Sequence, residues 1–123
     1  MLSEIGQISI TVHDVDRAVE FYRDVLGLEF LFPAPGMAFF SCGSVRLMLA
    51  VPEKEEFDHP ASILYYRVQD IGEAYETLVS RGVTFEGKPA LVHKTETEEL
   101  WMASFRDPDE NVLALMSEVP AGG

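Results

Sequence analysis

The sequence predicts an α+β fold built from two tandem βαβββ modules. Three observations predict it. Residues 7–30, QISITVHDVDRAVEFYRDVLGLEF, and residues 63–85, ILYYRVQDIGEAYETLVSRGVTF, read as copies of one unit. Aligned on Asp14 and Asp70, Val12 meets Val68, Ala18 meets Ala74 and Glu20 meets Glu76. Deleting one residue late in the first helix brings Gly27 onto Gly82 and Phe30 onto Phe85. Each copy also passes from a strand-like to a helix-like apolar period just after its Asp. Between the copies lies PEKEEFDHP, charged, proline-bounded and without apolar rhythm, which reads as a linker.

The elements follow in order. Residues 7–12 alternate, with Ile8, Ile10 and Val12 on one face and Gln7, Ser9 and Thr11 on the other. Asp14 suits an N-cap. Val15, Ala18, Val19, Tyr22, Val25 and Leu26 then form one helical apolar stripe, and Gly27 closes the helix. A strand over residues 28–32 and a turn over 33–36 follow. Residues 37–41 and 45–51 form a hairpin about Cys42-Gly43-Ser44. The second module restarts with a strand at 62–68, an Asp70 cap, a stripe of Ile71, Ala74, Tyr75, Leu78 and Val79, and Gly82 as the stop. A short strand is expected at 83–86, a polar connection at 88–99, and strands at 100–106 and 111–116 around Asp107-Pro108, a type I turn signal. The boundaries predicted are module one 5–51, linker 52–61, module two 62–118 and a tail 119–123, disordered from Pro120 on.

The 123 residues are one domain by size, and a hydrophobic content of 47% is that of an ordinary globular protein. A net charge of −12, from 21 acidic and 9 basic residues, argues against nucleic-acid binding. No apolar run approaches the ~20 residues that span a bilayer, so no membrane partner is expected. MLSEIGQ lacks the features of a signal peptide, and Cys42 is the sole cysteine, so the cytoplasm is the expected compartment.

The repeated unit, together with VHDVDRAVEFYRDVLGL at 12–28 and FRDPDENVLAL at 105–115, resembles the vicinal oxygen chelate superfamily. That superfamily includes glyoxalase I, extradiol dioxygenases, fosfomycin resistance enzymes and bleomycin resistance proteins. The resemblance implies that each sheet curls into a half-open cup, with helices outside and ligand inside. It implies a homodimer; in many single-domain relatives each cup is completed by the other chain, and both pairing of the halves within one chain and pairing between chains stay open here. The chain departs from the family at Glu110, where Gly is usual; that turn must avoid or tolerate a positive φ.

The resemblance also implies four metal-ligand positions, at the first and last strand of each module. Here they hold Gln7, Met48, Ile63 and Ala114. A divalent ion of the hard or borderline kind wants imidazole or carboxylate. Gln7 offers a weak carbonyl oxygen, Met48 a soft thioether, and Ile63 and Ala114 nothing, so no metal and no other cofactor is expected. His93 with Glu98 or Glu99 is the one acid-base or metal pairing that the remaining histidines suggest. Cys42, Ser9 and Ser104 have no evident base partner, so no catalytic residue is assigned.

With the cup as a frame, Met48, Ile63, Val112 and Ala114 line its floor, and Phe39, Tyr65 and Trp101 are neighbours. Gln7, Ser9, Thr11, Arg46 and Arg67 supply polar contacts. The two arginines either hold a carboxylate or phosphate or pair with glutamates. The alternative for the whole set is a small closed core. Three functions stand open: metal-independent binding of a small amphipathic or cationic molecule, as in bleomycin resistance proteins; a lyase or isomerase of glyoxalase or dioxygenase type with a non-standard site; and a non-catalytic partner-binding protein. The first is favoured.

Overall fold

Asp14 and Asp70 start the two helices in the same way. In the computed structural model, which describes residues 1–122, both have extended backbone, φ −134° and −123°. Asp14 Oδ1 accepts the amide N–H of Arg17 at 3.1 Å, and Asp70 Oδ1 accepts that of Glu73 at 3.0 Å. Each carboxylate satisfies an amide the helix leaves without a partner and meets the positive end of the helix dipole. The repeat therefore exists at the level of single hydrogen bonds.

The elements are β1 (Gln7–Thr11), α1 (Val15–Val19) running into a π-helical segment (Glu20–Val25), β2 (Glu29–Ala34), β3 (Met37–Cys42) and β4 (Val45–Ala50); then β5 (Leu64–Arg67), α2 (Ile71–Ser80), β6 (Ala90–Lys94), β7 (Glu98–Arg106) and β8 (Val112–Pro120). The strands form two four-stranded sheets, ordered β1-β4-β3-β2 and β5-β8-β7-β6. In each, the first strand runs parallel to the last and the other pairs are antiparallel. The chain divides into two compact units between Ser62 and Ile63, so the linker belongs with the first.

The one-residue mismatch between the helices has a physical cause. Leu26 N–H donates to Phe21 C=O at 2.9 Å, five residues back. A π turn holds one residue more than an α turn needs, so it absorbs the extra residue of the first copy without turning its apolar stripe away from the sheet. Tyr22 and its counterpart Leu78 are both buried. The helix-facing side of the first sheet carries Ile10, Phe40, Leu47 and Leu49, all fully or almost fully buried, with Tyr22 and Phe30 packed on either side of Phe40. In the second unit Tyr75, Phe85 and Phe105 form the equivalent stack, with ring centroids 4.7 and 5.1 Å apart. Full burial of each such side chain contributes about 1.5–3 kcal/mol.

Several local expectations are corrected. β2 runs through Pro33 to Ala34, leaving only Pro35-Gly36 as the turn. The missing N–H of Pro33 is tolerated because β2 is a sheet edge. The expected strand at 83–86 reduces to a single Phe85–Phe105 bridge. The expected polar connection holds β6, an edge strand pairing with β7; all five of its residues are exposed, so its short Ala90-Leu91-Val92 run shows no alternation between a buried and an open face. β8 continues past Met116 to Pro120, which pairs with Glu98. The expected disordered tail therefore starts as strand, and Gly123 lies outside the described residues. Glu110 takes φ +67°, so the turn tolerates the positive angle. Asp107 holds it: its backbone carbonyl accepts Glu110 N–H at 3.0 Å, and Oδ1 accepts the N–H groups of Asp109 and Asn111 at 2.8 and 2.9 Å.

Candidate functional site

Strand alternation leaves one face of each sheet without a helix. On the first sheet, Cα pairing sets two adjacent rows across the strands: Gln7, Arg46, Ser41 and Glu29; then Ser9, Met48, Phe39 and Phe32. Gln7, Ser9, Arg46 and Met48 thus lie together, away from buried Ile10, Leu47 and Leu49.

Within these rows the contacts are specific. Arg46 Nε donates to Gln7 Oε1 at 2.7 Å, and the Gln7 amide lies 3.8 Å from the Met48 sulfur. The Arg46 guanidinium carbon sits 5.2 Å from the centroid of the Phe39 ring, in the range of a cation–π contact. Phe39 in turn stacks on Phe32, centroids 4.5 Å apart. Phe39 is nearly buried beneath these neighbours, so it supports the surface more than it presents one. Thr11 is not open either: its hydroxyl donates to the Phe57 carbonyl at 3.2 Å, where the linker folds back over the end of β1. Beside it His13 Nε2 meets Asp58 Oδ1 at 2.9 Å. Beneath the turn, burial raises the pKa of the Cys42 thiol, as expected of an unreactive cysteine.

On the second sheet the helix-free face carries Tyr65, Ala114 and Ser104 in one row, and Arg67, Met116, Met102 and Ala90 in the next. Ile63 and Tyr65 are about half exposed, at 48% and 49%, whereas Ala114 is buried. Val112, two residues before Ala114, shares its face. Arg67 Nη2 pairs with Glu118 Oε1 at 3.2 Å. The open question about the arginines is thereby divided: Arg67 has a carboxylate, while among the described residues the hydrogen-bond partner of Arg46 is a neutral amide.

Trp101 is a correction. It pairs with Ser117, and Ala103 with Leu115, so its parity is that of Ala103 and Phe105 on the opposite face from Ala114. Its indole N–H donates to Glu99 Oε1 at 3.1 Å. That bond, aided by Lys94 Nζ at 3.7 Å, holds the Glu99 carboxyl below its usual pKa. The suggested His93–Glu99 pairing fails for the same reason. His93 pairs with Leu100 and lies exposed on the other face from Glu99. Glu98 is held through its backbone in the tight turn at 95–98, and among the described residues no hydrogen bond or ion pair joins its side chain to His93.

The family's four ligand positions do not fit a divalent ion of the usual kind. Ile63 and Ala114 carry no donor atom, Met48 is a soft ligand, and the Gln7 oxygen is taken by Arg46. Among the described residues no three His, Cys, Asp or Glu side chains cluster to hold a metal.

The model of the Glyoxalase/Bleomycin resistance protein/Dioxygenase superfamily matches residues 4–115. The chain belongs to this superfamily. Among superfamily-like relatives, the uncharacterized protein YraH of Bacillus subtilis is 31% identical, covering 89% of this chain and 94% of YraH. The glutathione transferase FosA of Serratia marcescens is 25% identical over 94% of the chain and 81% of FosA. The metallothiol transferase FosB of Staphylococcus haemolyticus is 33% identical over 54% of the chain, which spans 45% of FosB. A superfamily member from Sphaerobacter thermophilus superposes with a TM-score of 0.78 at 27% identity, covering 94% of this chain and 97% of that one. The fold is therefore the glyoxalase/bleomycin resistance fold. No helix among the described residues is long and apolar enough to cross a membrane.

The serines at 41 and 44 were not singled out from the sequence. The signal was available: a two-residue Gly43-Ser44 loop fixes the hairpin register and puts Ser41 opposite Arg46.

Proposed function

We propose that this protein binds a small amphipathic molecule without a metal, in the manner of the bleomycin resistance members of its superfamily. The observation that carries this reading is the commitment of Gln7. Its Oε1 is the sole oxygen at the four metal positions, and it anchors Arg46 over Phe39. A position that could have ligated a metal holds a guanidinium on an aromatic support. Beside it, in the same unit, Met48 adds adaptable apolar surface of the kind that binding sites use, and the second unit carries half-exposed Ile63 and Tyr65 on a helix-free face of its own. A cytoplasmic homodimer belongs to the same reading, and a monomer mass by sedimentation velocity would remove that part of it.

The test is elemental analysis of protein purified without chelator, followed by a thermal-shift screen with EDTA present. The expected result is a substoichiometric metal content and a ligand-dependent rise in Tm. A compound at 100 times its Kd should add about 2.7 kcal/mol. One equivalent of zinc, manganese, nickel or iron would overturn the reading.

A second reading rests on the relatives. FosA and FosB are transferases by name, and FosA aligns along most of the chain. Turnover of a thiol substrate that requires added divalent metal would favour this alternative.

A further inference from the structure

The geometry points to a subsite for an oxyanion headgroup, a carboxylate or phosphate-type group of a small ligand, at Arg46 and the β3–β4 turn. This deepens the proposed binding function and rests on it. The location is a cleft of about 240 Å³ in the first unit, lined by Arg46, Ser41, Ser44, Gly43, Gly6 and Leu31.

Three features select an anion. Arg46 is oriented, since its Nε is fixed on Gln7 and its plane is supported by Phe39. Its Nη groups make no hydrogen bond among the described residues, so the donors that grip carboxylate and phosphate oxygens remain available. The Ser41 and Ser44 hydroxyls at the same cleft are likewise uncommitted. Ser41 is the cross-strand partner of Arg46, which brings the hydroxyl and the cation onto one face.

Charge also distinguishes this place from the rest of the molecule. Against a net charge of −12, several of the arginines have acids: Arg67 has Glu118, Arg23 has Asp24, and Arg106 has Glu86. The acid in the row of Arg46 is Glu29, one strand beyond Ser41, and it makes no ion pair with Arg46. Leu31, at the bulge of β2, gives the cleft an apolar wall for the body of the ligand.

The experiment compares benzoate and phenylphosphonate with benzamide, a neutral isostere, by calorimetry and by NMR of the full chain at low salt. The expected result is at least tenfold tighter binding of the anions. Shifts should centre on the Arg46 Nε–H signal and the Ser41 and Ser44 amides, with affinity falling as salt is added. In Arg46→Gln the anions should fall to the level of benzamide, while benzamide itself is unchanged. Ser44→Ala, in an exposed turn, should weaken the anions several-fold without affecting the fold. Equal binding of benzoate and benzamide, or anion binding unaltered in Arg46→Gln, overturns the subsite and leaves the binding function standing. If neither charged nor neutral compounds perturb this face, the binding function falls and the subsite with it.

Discussion

Arg46 Nε lies 2.7 Å from Gln7 Oε1, and the two residues are register partners on parallel strands β1 and β4. A charged donor and a neutral acceptor make a bond that orients the guanidinium without cancelling it. Gln7→Glu should replace it with an ion pair. The pair is exposed, so stability should change by no more than about 1 kcal/mol. Affinity for benzoate should drop at least tenfold, because the positive charge is then neutralised. Urea unfolding with calorimetry of the same variant checks both halves.

Glu110 at φ +67° is a non-glycine residue in left-handed backbone, which costs about 1–2 kcal/mol. Glu110→Gly should therefore stabilise the protein by about 1 kcal/mol. The contact it gives up, Glu110 to Arg106 at 4.0 Å, is exposed and weak. A rise in the urea midpoint is the expected reading; a fall would show that the turn is not strained at this position.

The aromatic residues of the first sheet should separate by face. Phe40 is fully buried between Tyr22 and Phe30, and Phe40→Ala should cost about 3–5 kcal/mol. Phe32, 44% exposed and stacked on Phe39, should cost far less on truncation, about 1 kcal/mol. Equal losses in chemical denaturation would contradict the assignment of helix-facing and open faces.

Glu99 has its carboxyl pKa lowered, first by the Trp101 indole N–H and then by backbone and Lys94 contacts. A lowered folded pKa favours the folded state above the ordinary carboxylate range, and the benefit is lost as pH falls through the folded value. Trp101→Phe removes the principal donor. The Glu99 carboxyl should then titrate at higher pH, and the fall in stability on acidification should become smaller. A carbon-13 NMR titration of the carboxyl reads the first effect directly.

The π-helical segment predicts an asymmetry between the two copies. Removing exposed Asp24 should let the first helix close with α-type bonds, as its counterpart does, and leave Tm within a few degrees. Deleting exposed Thr77 from α2, which has no such slack, should rotate Leu78 out of the core and cost several kcal/mol. Thermal unfolding of the two deletion variants makes the comparison.

Much of this was legible in the chain because it depends on short-range periods. Alternation in QISITV placed Ile10 inward and Gln7 and Ser9 on the open face; Asp14 and Asp70 marked the caps. The superfamily was readable because the duplication repeats these local signals. β6 was not, because its residues are all exposed and its strand character comes from pairing with β7. Trp101 was misplaced although it lies within the expected strand 100–106: alternation there groups it with Ala103 and Phe105, and the β7–β8 register puts that group on the face opposite Ala114.

The sequence by itself determined the two modules, their caps and the loss of donors at the metal positions, since residue identity and period suffice for these. Tertiary structure alone decided which polar groups are spent. Arg67 and Glu118, Glu99 and Trp101, Thr11 and Phe57, and Gln7 and Arg46 are pairings made by strand register and chain reversal. A hydrogen bond depends on distances of a few tenths of an ångström that no one-dimensional pattern encodes. Arg46 stands apart from Arg67 for that reason: the fold gave one a carboxylate and the other an amide.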